Sequence, residues 1–279
     1  MKKIYIVTDS TADLKAEEIK EYGIHVVPLT IQIDNQSFVD GIDLAPDEFM
    51  KRMATSKDLP KSSQPASGVF KTLYDELGKD GSEIISIHMT GGMSGTVKSA
   101  QAAAEMTDSN VTVIDSMYIS HALSFQVIEA AQMIRAGNTV EQIVERLLAI
   151  RKQTTLFVVV DKLDNLVKGG RIGKGRGLIG SLLKIKPIAT LQDGIYTPVA
   201  QVRSHKQVVA HVFKVFKEET AGKIIRKVGI SHANGLAMAE PLKKLIEETG
   251  IKDVSLTFTT PIISTHTGEG AIGFMYYTD

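Results

Sequence analysis

The chain has 279 residues, 43% of them apolar and 23% charged, enough to bury a substantial core as one large domain or two modest ones. Lys+Arg and Asp+Glu number 32 each, so nothing in the overall charge favours nucleic acid or an anionic membrane surface. The absence of cysteine excludes disulfides, thiolate metal sites and a cysteine nucleophile together.

Strand and helix patterns alternate along the chain. Residues 4–7 read as a first strand. Their apolar run is too short for a signal-peptide core, and no segment approaches the ~20 apolar residues of a membrane span. A cytoplasmic protein is expected. Asp9-Ser10-Thr11 is expected to cap a helix carrying Leu14, Glu17, Glu18 and Ile19, with Gly23 as its stop. Residues 25–33 and 37–39 flank Asp34-Asn35 as a hairpin. Pro46 opens a helix at its favoured first position. A polar loop over 56–64 leads to a helix over 65–77. A strand over 84–88, a glycine turn, a helix over 97–106 and a strand over 111–114 follow. Helices over 120–135 and 140–152 are separated by Gly137-Asn138-Thr139 as stop and cap. After a strand over 156–160 the pattern changes to a glycine-rich basic loop and a short helix near 178–184. A hairpin of 187–191 and 195–199 turns at Asp193-Gly194. A helix over 206–219, a strand near 227–231, a helix over 236–248 and strands near 254–258 and 272–277 complete the chain. The pattern predicts an α/β protein with a mostly parallel N-terminal sheet in residues 1–155. A second α/β domain with hairpin strands is expected in residues 156–279.

Four stretches carry chemistry. Thr90-Gly91-Gly92-Met93-Ser94-Gly95-Thr96 joins a buried strand to a helix, where free N–H groups and the helix dipole favour a phosphate or carboxylate. In the plainer reading Ser94 is an N-cap. Lys168 to Gly177 interleaves glycine with Arg171, Lys174 and Arg176. No acidic residue lies between Asp164 and Asp193, so a basic patch is expected. Lys61-Ser62-Ser63-Gln64-Pro65 is a hydroxyl-bearing loop ahead of a helix. In Thr260 to Gly273, His266 is expected in a loop with two turn glycines.

Two nucleotide motifs fail. Gly175-Arg176-Gly177-Leu178-Ile179-Gly180 fits G-x-G-x-x-G in form, but the preceding strand ends near Val160, too far upstream for the required turn. Lys174 is followed by Gly175 where a Walker A loop needs Ser or Thr. No ATP site, metal or other cofactor is expected in this chain.

Together these stretches resemble the DegV family, the fatty-acid-binding proteins that act as the FakB subunit of bacterial fatty acid kinase. The resemblance runs from end to end and rests on five motifs in order. These are Ile6 to Leu14, Ser62-Ser63-Gln64-Pro65, Met93-Ser94-Gly95-Thr96, Lys168-Gly169-Gly170-Arg171 and His266-Thr267-Gly268-Glu269-Gly270-Ala271. It implies a two-domain DegV-like fold with an acyl tunnel between the domains. Ser62 and Ser94 would hold the fatty acid carboxylate, with Arg203 and His266 in the hydrogen-bond network around it. Arg171 would lie where the chain meets an ATP-binding, FakA-like kinase subunit and would support phosphate transfer. This chain would act as a non-enzymatic carrier, presenting its acid for conversion to an acyl phosphate used in phospholipid synthesis. The sequence departs from the family pattern in Ser62, where threonine is common, in the additional glycines after Arg171, and in Thr90-Gly91-Gly92. An acyl hydrolase with Ser94 as nucleophile and His266 as base is a competing reading, although a G-x-S-x-G elbow is lacking. A binding or regulatory module for another amphipathic acid is a third.

Overall fold

The computed structural model describes residues 2–178 and 185–279. Strand β1 (Ile4–Asp9) begins a four-stranded sheet of order β2-β1-β6-β7, parallel throughout. Asp9 caps only a single 3-10 turn, Ser10–Ala12, and Asp13 then adopts a left-handed conformation (φ 49°). The helix expected directly after Asp9 is therefore delayed to α1 (Ala16–Tyr22), capped by Lys15 and stopped by Gly23 at φ 63°. Strand β2 (His25–Val27) joins the parallel sheet, whereas β3 (Thr30–Ile33) and β4 (Gln36–Val39) form the expected hairpin. Asp34 and Asn35 both take positive φ in its two-residue turn. Helix α2 (Pro46–Thr55) starts at Pro46. The polar loop after it contains β5 (Lys61–Ser63), which completes a three-stranded antiparallel sheet β4-β3-β5. Only three residues long and built of Lys-Ser-Ser, β5 has no alternation to read; its partner strand makes it.

Helix α3 (Ser67–Gly78), β6 (Glu83–His88), α4 (Thr96–Met106) and β7 (Asn110–Asp115) supply two further βα crossovers. Helices α5 (Ser120–Arg135) and α6 (Val140–Gln153) follow, the latter with Thr139 in a capping box with Gln142. Strand β8 (Thr154–Val159) enters a six-stranded sheet of order β10-β9-β8-β13-β11-β12. Between β8 and β9 the basic stretch contains a short helix, α7 (Asp164–Lys168), and a 3-10 segment, Gly173–Leu178. The helix expected near 178–184 lies, beyond Leu178, outside the described residues. Strands β9 (Lys186–Gln192) and β10 (Ile195–Val202) pair through the Asp193-Gly194 turn. They are followed by α8 (His205–Thr220), β11 (Ile225–Ala233), α9 (Leu236–Glu247) and β12 (Val254–Phe258). The region expected as a loop around His266 is a helix, α10 (Pro261–Thr267), opened by Pro261. Strand β13 (Ala271–Thr278) then lies antiparallel between β8 and β11.

Three hydrophobic layers result. One lies between the parallel sheet and α3 and α4, and one between the six-stranded sheet and α8 and α9. The largest joins the two sheets, and α5 packs against strands of both. That position explains why residues 120 to 127 of α5 are buried without interruption. Beside this layer, a chain of buried polar groups links the central strands of the parallel sheet. His88 contacts the Asp9 carboxylate through Nδ1 (3.1 Å) and Ser86 Oγ through Nε2 (2.7 Å), and Ser86 meets the Tyr74 hydroxyl (2.7 Å). Burial acts to raise the Asp9 pKa. The hydrogen bond and charge of His88, with bonds from Thr11 and the Met89 N–H, outweigh it and hold the carboxyl below its ordinary value.

Candidate functional site

Between the two sheets an apolar cavity of ≈ 530 Å³, its open mouth included, is walled by Leu29, Met89, Ile119, Val158, Leu166 and Ile262, among others. Its polar lining includes a cluster made by four elements from distant parts of the chain. Ser62 comes from β5, Ser94 from the turn before α4, Arg171 from the segment after α7 and His266 from α10. A second cavity, ≈ 320 Å³ with its open side included, shares Ile119, Val158, Ile263 and Thr267 with the first and continues along β11 and β13.

The turn carrying Ser94 is held by its own atoms. Met93 and Ser94 donate their N–H groups to Thr90 O (both 3.2 Å), and Gly92 N–H bonds Thr90 Oγ1 (3.1 Å). Thr90 Oγ1 in turn donates to Gly194 O (3.1 Å), tying the turn to the β9–β10 hairpin. Gly92 is needed there, since a Cβ would fall 2.5 Å from Gly194 O. The N-cap of α4 is Gly95, not Ser94. Ser94 instead shares a hydrogen bond with Thr96 Oγ1 (2.8 Å) and accepts weakly from Thr96 N–H (3.3 Å). With Thr96 donating to it, the Ser94 proton is free to turn into the cavity.

His266 faces Ser62, its Nε2 being 2.8 Å from Ser62 Oγ. Nδ1 is buried without a hydrogen-bond partner among the described residues and looks instead at the Cα of Gly169, where a Cβ would lie only 2.3 Å away. A C–H group facing Nδ1 leaves no room for a proton there and favours the tautomer with the proton on Nε2. In that tautomer Nε2–H donates to Ser62 Oγ, and the serine proton is released toward the cavity. Burial, and secondarily the charge of Arg171, pull the His266 pKa down to about 4, so the imidazole is neutral at ordinary pH.

Arg171 is half-buried. Its Nε donates to Met93 O (3.1 Å) and one Nη to Gly169 O (2.6 Å). Two of its five N–H groups are so engaged, and the planar fork retains donors for an oxyanion. Burial pulls the guanidinium below its ordinary value. The basic stretch thus divides: Arg171 turns inward, while Lys186 pairs with Asp161 (2.9 Å), which also meets His205 (2.8 Å).

The structure brings Ser62, Ser94, Arg171 and His266 into one cluster but does not bring Arg203 to it. Arg203 is exposed, one residue past β10 at the outer edge of the six-stranded sheet, and its backbone N–H bonds Gln207 Oε1 (2.8 Å). The Ser94–His266 pair of the hydrolase reading is not formed: His266 meets Ser62, and among the described residues Nδ1 has no carboxylate to orient it. Tyr196, Met89 and Leu166 also line the cavity and carry no motif by which the sequence could have singled them out, whereas Met93 lies beside Ser94 in a motif already noted. Chemically, two serine hydroxyls and one cation beside an apolar slot are donors of the kind that suit a carboxylate whose remainder is hydrocarbon.

A layered α/β protein with two main sheets and a buried slot between them is the class that fold and site define. The chain belongs to the DegV family, whose model, described as that of an uncharacterised protein family, matches residues 3–279. A DegV domain-containing protein of Listeria innocua is 46% identical over 281 residues, covering 100% of both chains. Among solved structures, a DegV family protein from Thermus thermophilus described by its fatty acid binding superimposes with a TM-score of 0.94 at 28% identity, over 100% of both chains. DegV from Bacillus subtilis, described as a fatty acid binding protein, does so with a TM-score of 0.92 at 31% identity, again over 100% of both.

Proposed function

We propose that this protein binds a long-chain fatty acid, its carboxylate held by Ser62, Ser94 and Arg171 with His266 orienting Ser62. The acyl chain would run past Ile119, Val158 and Ile263 into the second cavity. The observation that carries this reading is the convergence of those four side chains on one apolar slot. The description of the two structural neighbours as fatty-acid-binding proteins supports it. Each buried CH₂ contributes ~0.8 kcal/mol, so a sixteen-carbon chain gains on the order of 10 kcal/mol from its tail, and the head group needs only a few aimed donors. Division of the chain near residue 155 suits this reading, since the ligand would then lie between the halves.

The test is mass spectrometry of the purified protein, intact and after organic extraction. A stoichiometric fatty acid is expected from the wild type. Ser94→Ala, which removes one donor and leaves a small residue in a half-buried turn, should retain the acid with affinity lower by roughly tenfold. Protein that is empty and takes up neither palmitate nor oleate overturns the reading.

The finer part of the proposal is that the bound carboxylate is presented to an ATP-dependent kinase subunit and leaves as an acyl phosphate for phospholipid synthesis. What supports it is Arg171, one cation belonging both to the carboxylate cluster and to the basic stretch. In a transfer the guanidinium would screen the charge of carboxylate and incoming phosphate together, which is positioning and not nucleophilic catalysis. Because Arg171 lines the cavity, Arg171→Ala should impair both steps. Affinity should fall by about tenfold or more through loss of charge-assisted bonds. Acyl phosphate formation with a kinase subunit should fall further still at saturating acid. Normal turnover in the variant would remove Arg171 from the transfer.

A further inference from the structure

We propose that Tyr196 reads the acyl chain, selecting chains that carry a hydrogen-bond acceptor (an oxygen, or the π face of a cis double bond) over plain saturated ones. The inference rests on the fatty-acid reading and concerns the same cavity. Tyr196 lies on β10 opposite Leu191, and both stand in the layer between the sheets. It lines the cavity, is fully buried, and its hydroxyl has no partner among the described residues. Buried hydroxyls are ordinarily paired, so an unpaired one on a residue that lines the cavity points to an acceptor that the ligand brings.

One side of the ring is closely packed. Gly175 lies against it so closely that a Cβ there would fall 3.1 Å from the ring's Cε1, and Ile172 packs at the same place. Of the other polar groups on the cavity wall, Thr267 is bonded to Ile263 O (3.0 Å), and the free protons of Ser62 and Ser94 with the spare donors of Arg171 are those assigned above to the carboxylate, which leaves Tyr196 for the chain. Burial pushes the phenol well above its ordinary pKa, so it stays a donor at any ordinary pH. Met89 and Met93 share the wall, and flexible, polarizable thioethers accept a bent or substituted chain more readily than branched aliphatics do.

The experiment is a titration of wild type and Tyr196→Phe with stearate, oleate and a mid-chain hydroxystearate. Phenylalanine keeps the ring and its packing and deletes only the hydroxyl. Wild type is expected to prefer hydroxystearate to stearate by roughly tenfold and oleate by about threefold, the π acceptor being weaker. The larger of the two preferences identifies which acceptor the site reads. In Tyr196→Phe both preferences should vanish with stearate affinity kept or raised. The empty variant should melt no lower than wild type, because an unpaired buried hydroxyl has been removed. Preferences that survive in the variant overturn the proposal. So does an equal loss for all three acids, which would make Tyr196 a carboxylate ligand. Failure of wild type to bind any of the three would instead remove the fatty-acid reading, and this inference with it.

Discussion

Gly169→Ala should reduce fatty acid affinity by one to two orders of magnitude, on the order of 2 kcal/mol, with little change in melting temperature. The backbone at Gly169 (φ −76°, ψ −10°) suits alanine, so conformational strain is not the cause. The obstacle is occupancy. A Cβ would lie 2.3 Å from His266 Nδ1, 3.0 Å from His266 Cε1 and 2.9 Å from Asn165 O. The carbonyl belongs to α7 and is held by the Gly169 N–H (2.8 Å), so the imidazole is what must yield. Once displaced, His266 no longer holds Ser62 from 2.8 Å, and the serine proton loses its direction toward the ligand. Helix stability hardly suffers, since alanine at the end of α7 carries less unfolded-state entropy than glycine. Palmitate titration beside a thermal melt measures both. Gly170→Ala is the control: it meets no atom within 4 Å but sits at φ +74°, so it should lower stability and leave affinity alone. Equal affinity in Gly169→Ala and wild type would show that Ser62 does not depend on His266.

Asp40→Asn should gain stability relative to wild type as pH rises from about 4 to 7. Burial pushes the Asp40 carboxyl from an ordinary 3.8 to about 7, against the Ser10 hydrogen bond and the Ile262 N–H (3.3 Å), and with some repulsion from Asp13 and Asp9. Burial likewise raises Asp13 to about 6, although Ser120, Thr259 and the Thr260 N–H bond it. In this window the folded state keeps protons that the unfolded chain has released. Stability from these acids is therefore full below about pH 4 and declines as pH rises through 6 to 7. His121 and His266 act in the opposite sense, because burial holds both near 4 and the unfolded chain takes up their protons below about 6.5. The two pairs offset each other between pH 4 and 6, and above about 6.5 Asp40 acts alone. At ~1.4 kcal/mol per pKa unit, the Asp40 displacement is worth on the order of 4 kcal/mol. Asparagine keeps an acceptor for the Ile262 N–H and cannot ionise. Denaturant unfolding at pH 5 and pH 8 should show the variant gaining relative to wild type at the higher pH. An identical difference at both would mean that Asp40 ionises freely in the folded protein.

Nothing in the sequence announces the role of either carboxylate, although Asp13 falls within the motif Ile6 to Leu14. Asp13 and Asp40 hold the N–H groups of Thr260 and Ile262 at the start of α10, contacts spanning more than two hundred residues. The same distance separates Ser62 from His266. Local patterns, by contrast, were legible: α5 begins and ends where apolar spacing puts it, and both two-residue hairpin turns form at Asp34-Asn35 and Asp193-Gly194. Residues 25–33 misled because Pro28 and Leu29 let one apolar run serve two sheets, a choice made by partners and not by propensity. The hydroxyl and glycine motifs located Ser62, Ser94 and His266, but the helix under His266 was hidden by its Ser-Thr composition. Arg171 was legible as a basic residue and not as an inward one, because direction along an irregular segment has no period to reveal it.

The position of β13 bears on how the chain reaches this form during synthesis. The four parallel strands all fall within residues 4–115, so that sheet can close while later segments are still being made. The six-stranded sheet has no such freedom: β13 is an inner strand, and without it β8 and β11 present open edges with no partner on those sides. Translation must pass residue 278 before those edges are covered. Because α10 directly precedes β13, His266 reaches Ser62 at the same late stage, and a nascent chain completes the apolar slot only as β13 docks.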